Sequence, residues 1–318
     1  MNALGLTMIM KMGCICTRET ININGIKYSV LERLGDGGFS TVDLVECKNN
    51  KKIYAMKRMT CHSIADQQKV QREIDYLKKI RHANIMELHD SYFKGSADIV
   101  VNTTSEAFLV LPYYPRGTLH DNLQSRAIEK HHMDVTEIFR IFSSVCDAVQ
   151  YLHEMKPQPL AHRDLKTANI CFTDNFTPVV IDLGSMVEAR IQVCGSQDAQ
   201  KLQDEAAENS SAPYRAPELF NVDSYCVIDE RTDIWSLGCI LYALCYFMSP
   251  FDLVYMRGDS VALAVLSGGV HFPEESKYPD HVHDLIIYML NTNPAERPFI
   301  QSVIEKTQIV MNTVNNIA

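Results

Sequence analysis

The chain has 318 residues, of which 46% are hydrophobic, and its formal net charge is −9. That composition supports a sizeable core, and an acidic chain in which no basic stripe is visible is not expected to bind nucleic acid as its main partner. Ten scattered cysteines without two closely spaced pairs disfavour a zinc site and favour reduced thiols, and no run approaches the roughly 18 apolar residues of a membrane span.

The amino end carries a candidate acylation motif. The residues from Met12 to Thr17 fit the pattern M-G-x-x-x-[ST], in which Gly13 would be acylated if translation started at Met12. In the printed sequence Gly13 is internal and cannot be acylated, so we interpret residues 1–11 as an upstream extension or an alternative start. A chance match to so loose a motif is the alternative.

A second lipid anchor is available beside Gly13. One myristoyl chain binds membranes only marginally, and Cys14 and Cys16 offer thioester sites for another chain. Electrostatic attraction to a membrane is expected to add little, because few basic residues are near in sequence, namely Lys11, Arg18 and Lys27.

A glycine-rich turn follows the first strand pattern. The alternating apolar run that ends at Leu34 precedes Gly35-Asp36-Gly37-Gly38-Phe39-Ser40-Thr41-Val42, which predicts a strand, a turn and a second strand. Glycines let backbone N–H groups approach a phosphate without an intervening Cβ. Ser40 stands where the G-x-G-x-x-G pattern has a third glycine, which predicts a stiffer turn. The candidate nucleotide contacts in this region are Leu34, Gly35, Asp36, Gly37, Gly38, Phe39 and Val42.

The next strand and helix supply a possible ion pair. Tyr54-Ala55-Met56-Lys57 matches the V-A-I-K pattern, in which the lysine pairs with the α- and β-phosphates of ATP, and Ala55 is a further candidate contact. Apolar residues spaced at i, i+4 and i+7 predict a helix from about Ala65 to Ile80. Glu73 lies on their face, so its carboxylate is expected to point inward and to pair with Lys57. A solvated surface glutamate is the alternative.

A predicted strand, Phe108-Leu109-Val110-Leu111, leads into a connector. The connector is Pro112-Tyr113-Tyr114-Pro115, and proline has no N–H to donate to a ligand. Tyr113 and Tyr114 are both candidate adenine contacts, and the register between them stays open.

The residues from His162 to Asn169 match H-R-D-L-x-x-x-N and set a base, a cation and a metal ligand on one short stretch. Asp164 can accept the proton of an attacking hydroxyl, and Lys166 can neutralise charge on a transferred phosphoryl group. Asn169 and Asp182 offer oxygen ligands for Mg²⁺. The residue after Asp182 is leucine where the D-F-G pattern has phenylalanine, which preserves the carboxylate and the apolar packing. Considered one residue at a time, Asp164 could instead be a capping residue and Lys166 a solvated loop lysine.

The segment from Asp182 to Glu218 is long, and part of it has helical periodicity. Ser196 can cap a helix, Asp198 suits its first turn, and apolar residues follow at i, i+3 and i+7. Our hypothesis is a helix docked beside the substrate groove, which restricts the peptides that enter. A flexible loop is the alternative.

In this order and at these spacings, the motifs resemble those of the eukaryotic protein kinases from Ile26 to about Gln308. The glycine turn, the segment after Asp182 and the residues from Tyr225 to Asp233 and from Gly258 to Val265 resemble the Numb-associated kinase branch. The resemblance implies an α+β bilobal fold with ATP between the lobes. An antiparallel sheet with one helix and the hinge would span 26–115, and a mainly helical lobe would span 116–318, after an N-terminal segment 1–25.

The resemblance also implies a reaction and a location. Mg-ATP would be the phosphoryl donor and protein serine or threonine hydroxyls the acceptors, because Lys166 follows the pattern of serine/threonine kinases. The protein would lie peripherally on cytosolic membranes, Golgi or perinuclear, through its acylated end. A non-catalytic scaffold is disfavoured because the catalytic residues are intact, and a small-molecule phosphotransferase is disfavoured by the motif from Tyr214 to Glu218.

Four further roles follow from the resemblance. Ser211, within the activation segment 182–218, would hydrogen-bond the catalytic aspartate and lysine, although a phosphoacceptor or an ordinary loop residue is also possible there. Glu218 would form a buried bridge with Arg297. Asp233 would anchor the catalytic loop backbone, and the apolar stretch after it would form a central buried helix.

Overall fold

The computed structural model describes residues 19–37, 40–98, 100–101 and 103–317. They form two compact units. The first unit holds the described residues of Met1–Gln67 together with His89–Tyr113, and the second holds Gln68–Leu88 and those of Tyr114–Ala318. One boundary falls between Tyr113 and Tyr114, inside the predicted connector.

The first unit is built on one antiparallel sheet of six strands. In chain order the strands are β1 Thr20–Ile23, β2 Ile26–Asp36, β3 Ser40–Cys47, β4 Ile53–Cys61, β5 Asp90–Lys94 and β6 Ser105–Pro112. Their order across the sheet is β1-β2-β3-β4-β6-β5. Alternate residues of β3 are buried, namely Asp43, Val45 and Cys47, as one covered face of a sheet requires. The sheet begins at Thr20, within the segment predicted to precede the lobe.

The helix predicted from about Ala65 to Ile80 is α1, Ile64–Lys79. Its start is stabilised by Asp66, whose carboxylate accepts the backbone N–H groups of His62 and Ser63 at 2.9 and 3.0 Å. Its buried side chains recur every three or four residues, as a single covered helical face requires. They are Val70, Glu73, Ile74 and Leu77.

The second unit is mainly helical. It holds α1 from Gln68 onward, and its other helices are α2 Leu119–Glu129, α3 Val135–His153, α4 Ser196–Asn209, α5 Arg231–Tyr246, α6 Asp252–Met256, α7 Val261–Ser267, α8 Asp280–Met289 and α9 Ile300–Ile317. Short antiparallel strand pairs lie between them: β7 Leu160–Ala161 with β10 Val187–Glu188, β8 Ile170–Phe172 with β9 Pro178–Val180, and β11 Ile191–Cys194 with β12 Tyr225–Ile228.

Helix α5 is buried along almost its whole length, as the apolar stretch after Asp233 predicts. The ring of Trp235 stacks on Phe251, with 5.8 Å between the ring centroids. Gly238 allows close packing, because a Cβ there would lie only 2.7 Å from Leu290 Cδ2. A sheet-rich unit and a helical unit with this central helix confirm the predicted α+β class.

The activation segment contains the predicted helix, α4, but its cap differs from the prediction. Ser196 was the wrong cap: it is the first helical residue, and Gly195 occupies the cap position. The chain turns at Gly195 with a φ of 129°, a conformation that suits a residue without a Cβ. Asp198 in the first turn accepts the backbone N–H of Cys194 at 3.2 Å.

Helix α4 packs against neighbouring segments of the second unit. Ala199 and Leu202 are buried, and Ala206 is partly buried beside them. They join a cluster of apolar residues from the flanking segments, namely Val193, Leu219, Val222 and Ile228. The predicted helix is confirmed, and the alternative of a loop without regular structure is wrong.

Candidate active site

A buried carboxylate on α5 holds the start of the catalytic segment. Asp233 is 0% exposed and accepts the backbone N–H groups of His162 and Arg163 at 2.8 and 2.9 Å. A third bond joins its Oδ2 to His153 Nε2 at 3.0 Å. Burial acts to raise the pKa of Asp233, but the bonds and charges of these neighbours outweigh it and hold the pKa below its usual value. An ionised Asp233 therefore anchors the loop backbone.

Three polar groups converge on Asp164, which is 9% exposed. Its Oδ2 accepts from Lys166 Nζ at 2.8 Å, and its Oδ1 accepts the backbone N–H of Ser211 at 2.8 Å. Asn169 Nδ2 donates to Oδ2 at 3.1 Å and to the backbone carbonyl of Asp164 at 2.8 Å. Bonds of this kind to an ionised acceptor are the stronger ones, so the carboxylate is fixed in one orientation.

Ser211 connects the activation segment to both candidate catalytic residues. Its hydroxyl accepts from Lys166 Nζ at 2.7 Å, and its N–H donates to Asp164. The structure thus contains both hydrogen bonds expected of Ser211. The ammonium of Lys166 is held between two oxygen acceptors, one from each residue.

Asn169 and Asp182 are the candidate magnesium ligands. The backbone brings them close, because the N–H of Ile181 donates to the carbonyl of Asn169 at 2.9 Å. Asp182 has a φ of 59°, a left-handed conformation that is uncommon outside glycine and clusters at functional sites. Since Asn169 Nδ2 donates to Asp164, the amide oxygen is the atom that can bind a metal.

The donor set fits Mg²⁺, which prefers carboxylate and amide oxygens and completes its shell with phosphate and water. Among the described residues, no group of three or more His, Cys, Asp or Glu side chains could hold a metal by itself. Leu183, the replacement for phenylalanine, is 1% exposed and keeps the apolar packing expected of that position.

In the first unit, the glycine turn lies beside the strand that carries Lys57. Gly35 is the cross-strand partner of Val42, and Val42 is the partner of Lys57. The N–H of Gly37 donates to the carbonyl of Ser40 at 2.7 Å, and a Cβ on Gly37 would lie 3.2 Å from Ser40 Oγ. A side chain at Gly37 would therefore crowd Ser40.

The other candidate nucleotide contacts on the first sheet are distributed along its strands. Leu34 is 41% exposed near the end of β2. Asp36 forms an ion pair with Arg33 on the same strand. Ala55 lies on β4 opposite Leu111 of β6. These positions leave the side chains of Leu34 and Asp36 on the surface.

Tyr113 belongs to the first unit and Tyr114 to the second, where burial raises the pKa of Tyr114 to about 12. Glu73 is 7% exposed on α1, so its carboxylate points inward as its spacing predicts. The ion pair between Lys57 and Glu73 stays a prediction. Several candidate residues lie outside the described part of the chain, namely Gly13, Cys14, Cys16, Gly38 and Phe39.

Glu218 and Arg297 form the expected buried ion pair. Nη1 and Nη2 of Arg297 donate to the two carboxylate oxygens at 2.8 and 2.9 Å. The guanidinium also donates to the carbonyls of Arg231 and Asn291, both at 2.9 Å, and lies 5.3 Å from the ring centroid of Trp235. Removing one partner of such a pair would leave the other charge buried, typically at a cost of about 3–5 kcal/mol.

Asn209, at the end of α4, is a junction that the sequence pattern does not reveal. Its side-chain oxygen accepts from Lys69 of α1, and its backbone carbonyl accepts from Ser185 Oγ at 2.7 Å. Its Nδ2 donates to the carbonyl of Glu205 at 2.7 Å. Because Lys69 and Asn209 are 140 positions apart, no local signal could have identified the contact.

Two arginines fix the residues between β10 and β11. Arg163 Nη2 donates to the carbonyl of Ala189 at 3.0 Å, and burial lowers the pKa of Arg163. Arg190 donates two bonds to the carboxylate of Glu230, at 3.1 and 2.7 Å. Two parallel bonds of this kind set the geometry as well as the strength of the contact.

A model of the protein kinase domain matches residues 28–309, which include the catalytic segment, the glycine turn and both candidate magnesium ligands. The chain belongs to the protein kinase family. Its relatives specify the acceptor: the chain is 40% identical to serine/threonine-protein kinase 16 of Rattus norvegicus, over 93% of this chain and 94% of the relative. The Homo sapiens protein of the same name is 39% identical over the same shares.

A more distant relative is serine/threonine-protein kinase ENV7 of Saccharomyces cerevisiae, 27% identical over 93% of this chain and 96% of that protein. This kinase is therefore a serine/threonine kinase, as Lys166 in the catalytic segment predicts. Within the described part of the kinase, no helix has the length and apolar character needed to cross a bilayer.

Proposed function

We propose that this kinase transfers the γ-phosphate of Mg-ATP to serine and threonine hydroxyls of proteins, with Asp164 as the proton acceptor. The observation that carries the proposal is the network in which Lys166, Ser211 and Asn169 hold one buried carboxylate. A carboxylate fixed in this way can accept a hydrogen bond from an incoming alcohol and take its proton during transfer. Phosphoryl transfer depends mainly on such positioning and on electrostatics.

Lys166 and the magnesium ligands would offset the negative charge of the phosphates. The ammonium of Lys166 is 2.8 Å from Asp164 Oδ2 and 2.7 Å from Ser211 Oγ, so its position is fixed before a protein substrate binds. Asn169 and Asp182 would hold Mg²⁺, which when bound supplies neutralisation of the phosphate oxygens.

The phosphate chain would be held by groups of the first unit. Gly35 and Gly37 would let the backbone of the glycine turn approach the phosphates without an obstructing Cβ. Lys57, one strand away from Val42, would pair with the α- and β-phosphates. The adenine contacts would come from Tyr113 or Tyr114.

A scaffold that keeps the fold without catalysis is the competing function. Purified kinase incubated with labelled ATP, magnesium and a peptide library distinguishes the two. We expect label on serine and threonine peptides, and we expect Asp164→Ala to abolish it while the protein still melts cooperatively. Equal labelling by Asp164→Ala would contradict the role of Asp164. Nucleotide binding without any labelling by the unmodified protein would favour the scaffold, and labelling of small alcohols alone would favour a different phosphotransferase.

We further propose that the kinase belongs to the Numb-associated branch and is peripheral on cytosolic membranes, Golgi or perinuclear. The resemblance of the glycine turn, the segment after Asp182 and residues 225–233 and 258–265 supports the branch, and the motif at Met12 supports the membrane attachment, with Gly13 as the myristoylation site and Cys14 and Cys16 as thioester sites. Mass spectrometry of the mature amino terminus tests it. We expect an acylated glycine, and an intact unacylated Met1 as the sole species would refute the anchor.

A further inference from the structure

Four lysines of the first unit meet at one end of its sheet. Lys27 lies at the start of β2, and Lys48, Lys51 and Lys52 form the turn between β3 and β4. All four side chains are exposed. The two chain segments touch, because the N–H of Lys48 donates to the carbonyl of Lys27 at 2.8 Å. We call these four residues the lysine patch.

The backbone of the lysine patch is well fixed. The N–H of Lys51 donates to the carbonyl of Cys47 at 2.9 Å, and the N–H of Cys47 donates to the carbonyl of Lys52 at 2.9 Å. The N–H of Lys52 is bound by Asn50 Oδ1 at 2.9 Å. The backbone positions of the four lysines are thus fixed near one another, so binding needs no ordering of the backbone, which reduces the entropic cost of a contact.

Little negative charge opposes the lysine patch locally. Residues 22–27 and 47–53 contain four lysines and no aspartate or glutamate, in a chain whose net charge is −9. Glu46 is 3.2 Å from Lys51 Nζ, but the Lys51 side chain remains 69% exposed. Asp90 is bound to Asn24 of the neighbouring turn at 2.8 Å. Four lysines therefore face two carboxylates, and the local excess is positive.

The lysine patch lies far from the glycine turn. Tyr28 pairs with Cys47 next to the patch, whereas Asp36 pairs with Thr41 at the other end of the same two strands. At about 3.3 Å per residue, the two ends are roughly 25 Å apart. A surface that bound the lysine patch would leave the nucleotide-binding turn uncovered.

The amino end of the chain can reach the same surface. In the β1–β2 hairpin, Ile23 pairs with Ile26 beside the lysine patch, and Thr20 pairs with Ser29. The seven steps along the chain from Gly13 to Thr20 span at most about 25 Å when extended. An acyl chain on Gly13 and the lysine patch can therefore contact one bilayer at once.

We propose that the lysine patch is a membrane-contact surface that binds anionic lipid headgroups. One acyl chain needs a second signal for stable anchoring, and a polybasic surface is such a signal. Each lysine near an anionic membrane strengthens binding about fivefold at low salt. The sequence alone indicates little electrostatic attraction, because three of the four lysines lie far along the chain from Gly13. This inference extends the membrane attachment proposed above by naming anionic lipid as the second contact. The lysine patch is expected to bind such lipid even when Gly13 carries no acyl chain.

Vesicle sedimentation tests the lysine patch separately from acylation. Kinase expressed in bacteria from Met1 carries no acyl chain, and it is mixed at low salt with phosphatidylcholine vesicles or with vesicles that also contain phosphatidylserine. We expect binding to the anionic vesicles alone. The Lys48→Gln, Lys51→Gln and Lys52→Gln triple variant is expected to bind them at least about tenfold more weakly.

A matched control removes the same charge elsewhere. Lys79, Lys156 and Lys277 are exposed lysines outside the patch, and their triple change to glutamine is expected to leave vesicle binding within about twofold. Both variants are expected to phosphorylate a soluble peptide normally. Equal vesicle binding by the two variants, or no binding of unmodified kinase to anionic vesicles, would overturn the proposal. RNA is the other polyanion that four lysines could bind. A patch variant that bound RNA more weakly but bound vesicles unchanged would also overturn the proposal.

The acylated form separates the two proposals. Kinase expressed from Met12 with an N-myristoyltransferase is expected to bind anionic vesicles more tightly than the unacylated form, and the patch variant to lose most of that gain. If Gly13 is never acylated, this difference disappears while the result for the unacylated kinase stands. If the lysine patch is inert, acylated kinase binds neutral and anionic vesicles alike.

Discussion

Lys166 is held by oxygen atoms from two parts of the chain that are distant in sequence. Asp164 lies two positions away, whereas Ser211 lies 45 positions away on the activation segment. The ammonium is therefore fixed only when that segment is in place. The H-R-D-L-K pattern by itself predicts the contact between Lys166 and Asp164. The contact between Lys166 and Ser211 is predicted only by the resemblance to the protein kinases.

Replacing Ser211 by alanine removes one acceptor of the Lys166 ammonium and leaves the backbone bond to Asp164. We expect kcat to fall roughly tenfold, the effect of losing one hydrogen bond to a charged group in the transition state. Steady-state kinetics on a serine peptide measure it. Ser211→Thr keeps the hydroxyl and is expected to retain most of the activity, and an unchanged kcat for Ser211→Ala would contradict the contact's role.

The bond between Arg190 and Glu230 makes stability depend on pH. Burial acts to raise the pKa of Glu230, but hydrogen bonds and the charge of Arg190 hold it below its ordinary value of 4.5. A depressed carboxylate stabilises the folded state above its unfolded pKa, and that contribution is lost as the pH falls through the lower folded value.

Arg190→Gln is expected to lower the free energy of unfolding by about 1 kcal/mol at neutral pH, a modest value because the Arg190 side chain is 59% exposed and screened by water. Urea unfolding at neutral and at acid pH measures the difference between variant and unmodified kinase. The difference is expected to vanish once Glu230 is protonated in both. A difference that is the same at every pH would contradict the ion pair.

Helix α4 shows how far a periodic pattern reaches at the scale of an element. Spacing predicts the helix and its buried face, because Ala199 and Leu202 recur as one covered side requires. It does not predict the cap, since the turn at Gly195 depends on a backbone angle, or the contact from Asn209 to Lys69, which depends on the tertiary fold. Caps and long-range contacts are set by neighbours that local sequence does not contain.

Shortening the buried side chain of α4 tests whether its packing holds the activation segment. Leu202→Ala is expected to cost about 2 kcal/mol, because Leu202 is 8% exposed and its cavity can relax only in part. Hydrogen exchange is expected to speed up across α4 while α5 keeps its protection. Gln200→Ala, on the exposed side, is the control and is expected to change neither. Rapid exchange of α4 amides in the unmodified kinase would contradict the packed helix.

Across the whole molecule, the sequence predicts the parts that depend on short motifs. The resemblance of those motifs to the protein kinases implies a kinase domain from Ile26 to about Gln308 with a strand-rich part and a helical part, and the family model matches 28–309. The lysine patch is not predicted in this way, because Lys27 and Lys48 become neighbours only when β2 pairs with β3. The distribution of charge on the surface depends on the fold. A chain with a net charge of −9 can therefore have a positively charged end of its first sheet.

The assignment of Asp164 as proton acceptor can be decided by single-turnover transfer from Mg-ATP to a serine peptide with Asp164→Asn. This variant keeps the size of the side chain and loses the basic oxygen, so nucleotide affinity is expected to stay within about twofold while the transfer rate falls roughly a thousandfold. A transfer rate equal to that of the unmodified kinase would contradict the assignment.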